Sequence, residues 1–289
     1  MSLANIRKKA KQKPPRIVLY GGAGIGKTFF AASMNKPIFV LTEDGMGKIE
    51  ADHFPLATSF EDVLKNLQSL LDNDNDYKTL VVDSLDWLEP LIWDKACQDN
   101  NWKSIEQPGY GKGYVEVLKY WREYIKLLNE LREKGYTIMQ IAHNQIKRFE
   151  SPEIEAYDRH ELKLHRKAAD LILEHSDCCF FANFKLGTVQ VKGKGGNMTT
   201  KAVSGDRILY TVEKPAYLAK NRYALPESLP FISRASSAVQ RVLGSNSSIC
   251  FNRSRATGSA AGYSSLSFFG CFVLIVWRYA LAVPQLPLA

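Results

Sequence analysis

Acidic residues are missing from the C-terminal stretch of this 289-residue chain. From Ile232 to Ala289 there are five arginines (Arg234, Arg241, Arg253, Arg255, Arg278) and no Lys, Asp or Glu. Cysteine is scarce as well. The five cysteines, at positions 97, 178, 179, 250 and 271, form no CxxC pair and no Cys/His series of metal-ligand spacing, so they read as reduced thiols. No apolar run is long enough to span a bilayer: the patch Phe268 to Trp277 contains Gly270 and stops at Arg278. The N-terminus has cations (Arg7, Lys8, Lys9, Lys11, Lys13) but no apolar core behind them. Neither a secretory signal nor a targeting helix is indicated, and a cytoplasmic, non-membrane location is expected.

What is present is the composition of a globular domain, 45% hydrophobic and 24% charged. The net charge of +8 misleads as a guide to partners, because residues 1–231 carry only +3 of it. A case for nucleic acid must therefore rest on local clusters.

Short β-branched runs alternate with helical patterns. Ile17 to Tyr20, Ile38 to Leu41, Thr79 to Val82, Thr137 to Ala142 and Cys178 to Ala182 are predicted strands. Thr28 to Asn35, Ser59 to Leu71, Leu85 to Cys97 and Tyr114 to Leu131 are predicted helices, the last broken by Gly135. This order predicts an α/β fold with a mostly parallel central sheet flanked by helices and ligand groups at the carboxyl ends of its strands. Phe184 to Tyr223, with its glycine-rich piece Gly193 to Gly196, is expected to add short antiparallel strands as a C-terminal extension of the sheet. Three parts result: a basic arm over 1–15, the α/β domain over 16–231, and a foreign tail over 232–289. Eleven serines mark the tail, which reads as a disordered appendage or a shifted reading frame.

Gly21-Gly22-Ala23-Gly24-Ile25-Gly26-Lys27-Thr28 fits GxxxxGK[ST] with a strand before it and the helix from Thr28 after it, and Phe29 on that first turn is counted with the loop among the nucleotide-binding residues. The glycines let the backbone curl around phosphates and the helix-opening amides face negative charge. Lys27 is expected on the β and γ phosphates of ATP, and the Thr28 hydroxyl on Mg²⁺. Asp83, ending Leu80-Val81-Val82-Asp83-Ser84, is the expected second Mg²⁺ residue, and Ser84 either assists it or caps the next helix. Glu43, just past strand two, is the candidate base for water, with Asp44 as a rival on the same turn and a merely solvated acidic turn as the plain alternative. Asp86 and Glu89 are assigned to a helix. His143 and Asn144, after strand four, either sense the γ-phosphate or are structural. Lys147 to Arg159, with Phe149 and Tyr157 among its cations, is a candidate contact for single-stranded DNA, whereas Lys163 to Lys167 also reads as a solvated helix face.

With these motifs the chain resembles the RecA-like P-loop ATPases. It is most similar to phage-encoded ATP-binding proteins with a minimal RecA core that act in single-strand annealing recombination. The resemblance covers about residues 14–231 and rests on the loop at 21–28, FVLTEDG at 39–45, VVDS at 81–84 and AHNQIK at 142–147. It implies that Glu43 activates water and that strand four lies between the strands bearing the phosphate loop and Asp83, so that His143 or Asn144 approaches the terminal phosphate. It also implies DNA contact through the loop after strand four, Lys147 to Arg159, a ring or filament of identical subunits, and a single-stranded DNA-binding protein as partner. Lys220-Asn221-Arg222 resembles the Lys-x-Arg element that such proteins insert into a neighbour's ATP site.

The resulting expectation is a Mg²⁺-dependent, DNA-stimulated ATPase promoting annealing. The alternatives are an ATPase of DNA packaging or remodelling and a non-catalytic nucleotide-binding scaffold. A nucleotide kinase is disfavoured, since Arg122 and Arg132 read as solvated helix residues rather than a phosphate-gathering lid.

Overall fold

The computed structural model describes residues 13–153, 155–192 and 198–231. The expected serine-rich tail, the glycine-rich piece at 193–196 and most of the basic arm lie outside these residues. Five parallel-paired strands form the centre: β1 (Arg16–Gly21), β2 (Pro37–Leu41), β4 (Thr79–Asp83), the first half of β5 (Thr137–Phe149) and the start of β7 (Cys178–Lys192). A two-residue β3 (Asp52–His53) adds to β2 in parallel, while β8 (Met198–Tyr210) and β10 (Ser228–Pro230) add antiparallel on the far side. The order across the sheet is β10-β8-β7-β1-β5-β4-β2-β3. As expected, β5 lies between β1 and β4, placing the residues after it beside the phosphate loop.

Side-chain alternation along β1 divides the core in two. Val18 and Tyr20 face a cluster under α2 (Phe60–Asp72), α3 (Leu85–Asn100), α5 (Leu118–Lys134) and α6 (Arg166–His175), where Phe60, Leu67, Leu88, Ile92, Trp121, Leu128 and Ile172 are buried. Ile17 and Leu19 face the other side, covered by α1 (Lys27–Ala32) together with Met46, Leu225 and Phe231. Phe231 is buried and stacks on Phe30, with ring centroids 5.2 Å apart.

Local sequence explains the main boundaries. Ser59 and Asp62 form a reciprocal capping box at the start of α2, each side chain bonding the other's amide at 3.1 Å. Lys134 Nζ donates to the carbonyls of Leu70, Leu71 and Asn73 and closes its far end. Gly135, at φ +109°, stops α5.

Four expectations change. The helix predicted over 114–131 divides into α4 (Lys112–Glu116) and α5 around Val117. The segment after strand four is a ribbon rather than a loop: β5 continues to Phe149 and pairs antiparallel with β6 (Tyr157–Leu162). The C-terminal extension is built on one long β7–β8 ribbon instead of several short strands, with a two-residue β9 (Lys220–Asn221) on β7. Arg132 is not solvated; it donates to Asp177 at 2.9 Å and to the Pro14 carbonyl at 2.6 Å, with its side chain only 15% exposed.

Candidate nucleotide site

Gly21 ends β1 where β7 passes so closely that a methyl group would lie 2.2 Å from the Ala182 carbonyl oxygen; only glycine fits. Gly26 precedes α1 at φ +106°, a left-handed turn that brings the loop round to the helix. Lys27, 6% exposed, folds back so that Nζ donates to the carbonyls of Gly21 at 3.1 Å and Gly22 at 3.0 Å. Its ammonium is thus held at the start of the loop formed by Gly21, Gly22, Ala23, Gly24, Ile25 and Gly26. Ile25 anchors the loop in the core, and Phe29 is 56% exposed at the start of α1.

On the neighbouring strand end, Asp83 Oδ2 accepts from Thr28 Oγ1 at 2.8 Å. Its other oxygen, Oδ1, is buried with no hydrogen-bond partner. An orphaned carboxylate oxygen beside a threonine hydroxyl fits the outer shell of a Mg²⁺ ion, which takes few protein ligands and completes its octahedron with phosphate and water. Among the described residues no group of three or more His, Cys, Asp or Glu gathers as an all-protein metal cage.

Glu43 follows β2 in the adjoining turn. It is half-buried, whereas Asp44 beside it is exposed. Burial, reinforced by the charge of Asp83, raises the Glu43 pKa above the usual carboxylate range, while His143 and Lys27 pull it down. Burial likewise raises Asp83, with Thr28 and Lys27 opposing. It lowers Lys27, against the attraction of Asp83, Asp86 and Glu43. These mutual influences place Lys27, Glu43, Asp83, Asp86 and His143 in one electrostatic group at the carboxyl ends of β1, β2, β4 and β5. Thr42 ties the two acidic strand ends together: its amide donates to the Asp83 carbonyl at 2.8 Å and its hydroxyl to the Ser84 carbonyl at 2.6 Å. Ser84 is the N-cap residue of α3, but its side chain makes no capping bond there.

His143 is fixed by Asp86, whose oxygens accept from the His143 amide at 2.9 Å and from ring Nδ1 at 3.0 Å. Burial opposes ionisation of Asp86, yet the bonds from His143 hold its pKa below the usual range. Asp86 belongs to α3 as expected, but it is also a site residue that the sequence reading passed over. A carboxylate three residues beyond Asp83, on the first turn of a helix leaving the same strand, is the signal that was available. Asn144 Nδ2 donates to His160 Nδ1 at 2.8 Å, and its Oδ1 lies 3.9 Å from where a methyl on Gly22 would stand.

Lys220 and Arg222 are not brought to the phosphate loop of their own chain. Lys220 and Asn221 pair with the start of β7, and Arg222 follows them, at the opposite end of the sheet from the loop. Lys220 Nζ donates to Leu173 and Ser176 carbonyls at 2.6 and 2.7 Å, closing α6, and Arg222 meets Asp177 at 3.4 Å. In the β5–β6 ribbon, Arg159 is buried, paired with Glu213 at 2.7 Å, and lies 5.0 Å from the Phe149 ring; Arg148 meets Asp158 at 3.8 Å.

The chain is 28% identical over 131 residues to the SPbeta prophage-derived uncharacterized protein YorG of Bacillus subtilis strain 168, a stretch that covers 44% of this chain and 40% of that protein. It also overlaps the flagellar accessory protein FlaH of Methanocaldococcus jannaschii, across 72% of this chain and 91% of that one, at 13% identity and a TM-score of 0.34, a loose superposition. Neither comparison identifies a single-strand annealing family. Residues 13–223 match the AAA domain family, so a P-loop NTPase fold and a family match over most of its length lead to one conclusion: the chain belongs to the AAA domain family.

Proposed function

We propose that this chain is a Mg²⁺-dependent ATPase. The observation that carries the reading is the convergence of Lys27, Thr28, Glu43, Asp83 and His143 on one end of the sheet, with Asp83 Oδ1 buried and unpartnered beside the Thr28 hydroxyl. Loop amides and Lys27 bind the phosphates of ATP, and Thr28 and Asp83 hold Mg²⁺, which neutralises phosphate charge when bound. Glu43 accepts a proton from water as the water oxygen bonds to the terminal phosphorus and the bond to ADP breaks. Its raised pKa makes it a better proton acceptor than an exposed carboxylate. Glu43→Gln is expected to keep ATP affinity while losing most single-turnover hydrolysis, and Asp44→Asn to keep both. Parental turnover in Glu43→Gln with loss in Asp44→Asn would show that the neighbouring carboxylate is the base.

The work coupled to hydrolysis is a separate matter. Single-stranded DNA binding at 147–159 would need a cationic surface, but three cations there stand against four acids, and Arg148 and Arg159 already have carboxylate partners. An ATPase of packaging or remodelling type accordingly fits the ribbon better than an annealing protein. Assembly of identical subunits, with Lys220 and Arg222 reaching a neighbour's site, would require Lys220 to leave three carbonyl partners.

A further inference from the structure

Arg207 stands on β8 directly opposite Phe184 of β7, two residues beyond the level of Gly21. Leu209 of the same strand packs into the core on the α1 side, so Arg207, two residues away, projects to that side as well. There its guanidinium reaches the phosphate loop: a methyl group at Gly26 would meet Arg207 Nη1 at 3.2 Å. The position is held from both directions. The Phe231 amide donates to the Arg207 carbonyl at 2.8 Å, and the guanidinium lies 5.9 Å from the Phe184 ring. Arg16, Arg132, Arg148, Arg159 and Arg222 each pair with a carboxylate; Arg207, like Arg122 and Arg166, pairs with none among the described residues.

The sheet order places this cation on the side of the loop away from the carboxylates. Asp83 and Glu43 flank the loop from the β4 and β2 side, and Arg207 flanks it from the β7 and β8 side. The terminal phosphate belongs with the carboxylates that hold Mg²⁺ and activate water. With the terminal phosphate there, the remaining phosphates would extend along the loop toward Gly26 and β8. We propose that Arg207 is a further phosphate-binding cation supplied by the same chain, contacting the nucleoside-side phosphates rather than the terminal one. This rests on the ATPase reading of the site and adds a residue outside all its sequence motifs.

A nucleoside-side contact is shared by ADP and ATP. Arg207→Ala should therefore weaken Mg·ADP and Mg·ATP by a similar factor, about tenfold or more for a lost charge-assisted bond. KM should rise accordingly while kcat stays near the parental value. Fluorescence titration of the full chain with both nucleotides reads this directly, and Arg207→Lys, keeping the charge without the planar fork, should fall between parent and Arg207→Ala. Because the side chain is exposed and its strand pairs through the backbone, thermal unfolding of either variant should match the parent. Unchanged affinity for both nucleotides, or weakening of ATP alone with a fall in kcat, would overturn the assignment while leaving the ATPase reading intact. A parent chain that binds neither nucleotide would overturn both.

Discussion

At the residue scale, three carboxylates within reach of Lys27 have different work because their surroundings differ. Asp83 is buried against Thr28, Asp86 is saturated by two bonds from His143, and Glu43 is half-buried with no such bond holding its proton affinity down. Asp86 is accordingly a positioning residue. Asp86→Asn should leave nucleotide affinity within a few-fold of the parent but loosen the His143 ring, visible as a shift of its imidazole resonances in NMR and a lower kcat. An unshifted ring with parental kcat would mean that His143 is placed by something else. Lys220 makes a contrasting case. Its three bonds to the end of α6 serve the fold, so Lys220→Ala should lower the unfolding free energy by about 1–3 kcal/mol. Undiminished stability in urea would free this lysine for a role at a neighbour's phosphate.

At the element scale, α3 and α6 are joined by a single buried carboxylate. Glu89, 5% exposed on α3, accepts from the amide of His165, the residue that opens α6, at 2.9 and 3.1 Å. Burial pushes its pKa up to about 7, with the His165 bond opposing. Between its ordinary value and about 7 the folded chain keeps a proton that the unfolded chain releases. Its contribution to stability is therefore complete at the acid end of that window and is lost as pH rises through about 7. Glu89→Gln carries no such proton, so its stability should vary less with pH from 5 to 8, and the gap to the parent should shift in its favour toward pH 8. Parallel stability profiles for parent and variant would contradict the buried-carboxylate account. The same scale shows what the sequence could reveal. Strands β1, β2 and β4, the capped helix α2 and the phosphate loop were legible because periodicity, Ser59 and the glycines act locally. The β5–β6 ribbon was not, because its residues, Lys147 to Leu162, are polar on both faces and carry no alternating pattern. Of helix α6 only a solvated face at Lys163 to Lys167 was read, because its cationic entry masks the buried face that Ala168 and Ile172 give it. Arg207 was invisible for a different reason: 180 residues separate it from Lys27, and only the antiparallel return of β8 brings it to Gly26.

For the whole molecule, the parallel sheet does one thing above all: it aligns four strand ends so that phosphate-binding, metal-holding and proton-accepting groups meet. The bulk charge of the chain has little part in this, since most of the excess lies beyond residue 231 and the β5–β6 ribbon carries more acids than cations. No helix among the described residues is long and apolar enough to cross a membrane. If assembly completes the site, specific ATPase activity should rise with protein concentration, and mixing Lys27→Ala with Arg222→Ala chains should restore turnover. Flat activity, with no recovery in demonstrably mixed assemblies, would indicate a site complete within one chain. The central claim, that the converging residues form a Mg·nucleoside triphosphate site, is tested most directly by calorimetric titration of the full chain with ATP. The account predicts saturable binding that is strengthened by Mg²⁺ in the parent, loses that Mg²⁺ dependence in Asp83→Asn, and is abolished in Lys27→Ala; equal binding by all three, or Mg²⁺ dependence that survives in Asp83→Asn, would contradict it.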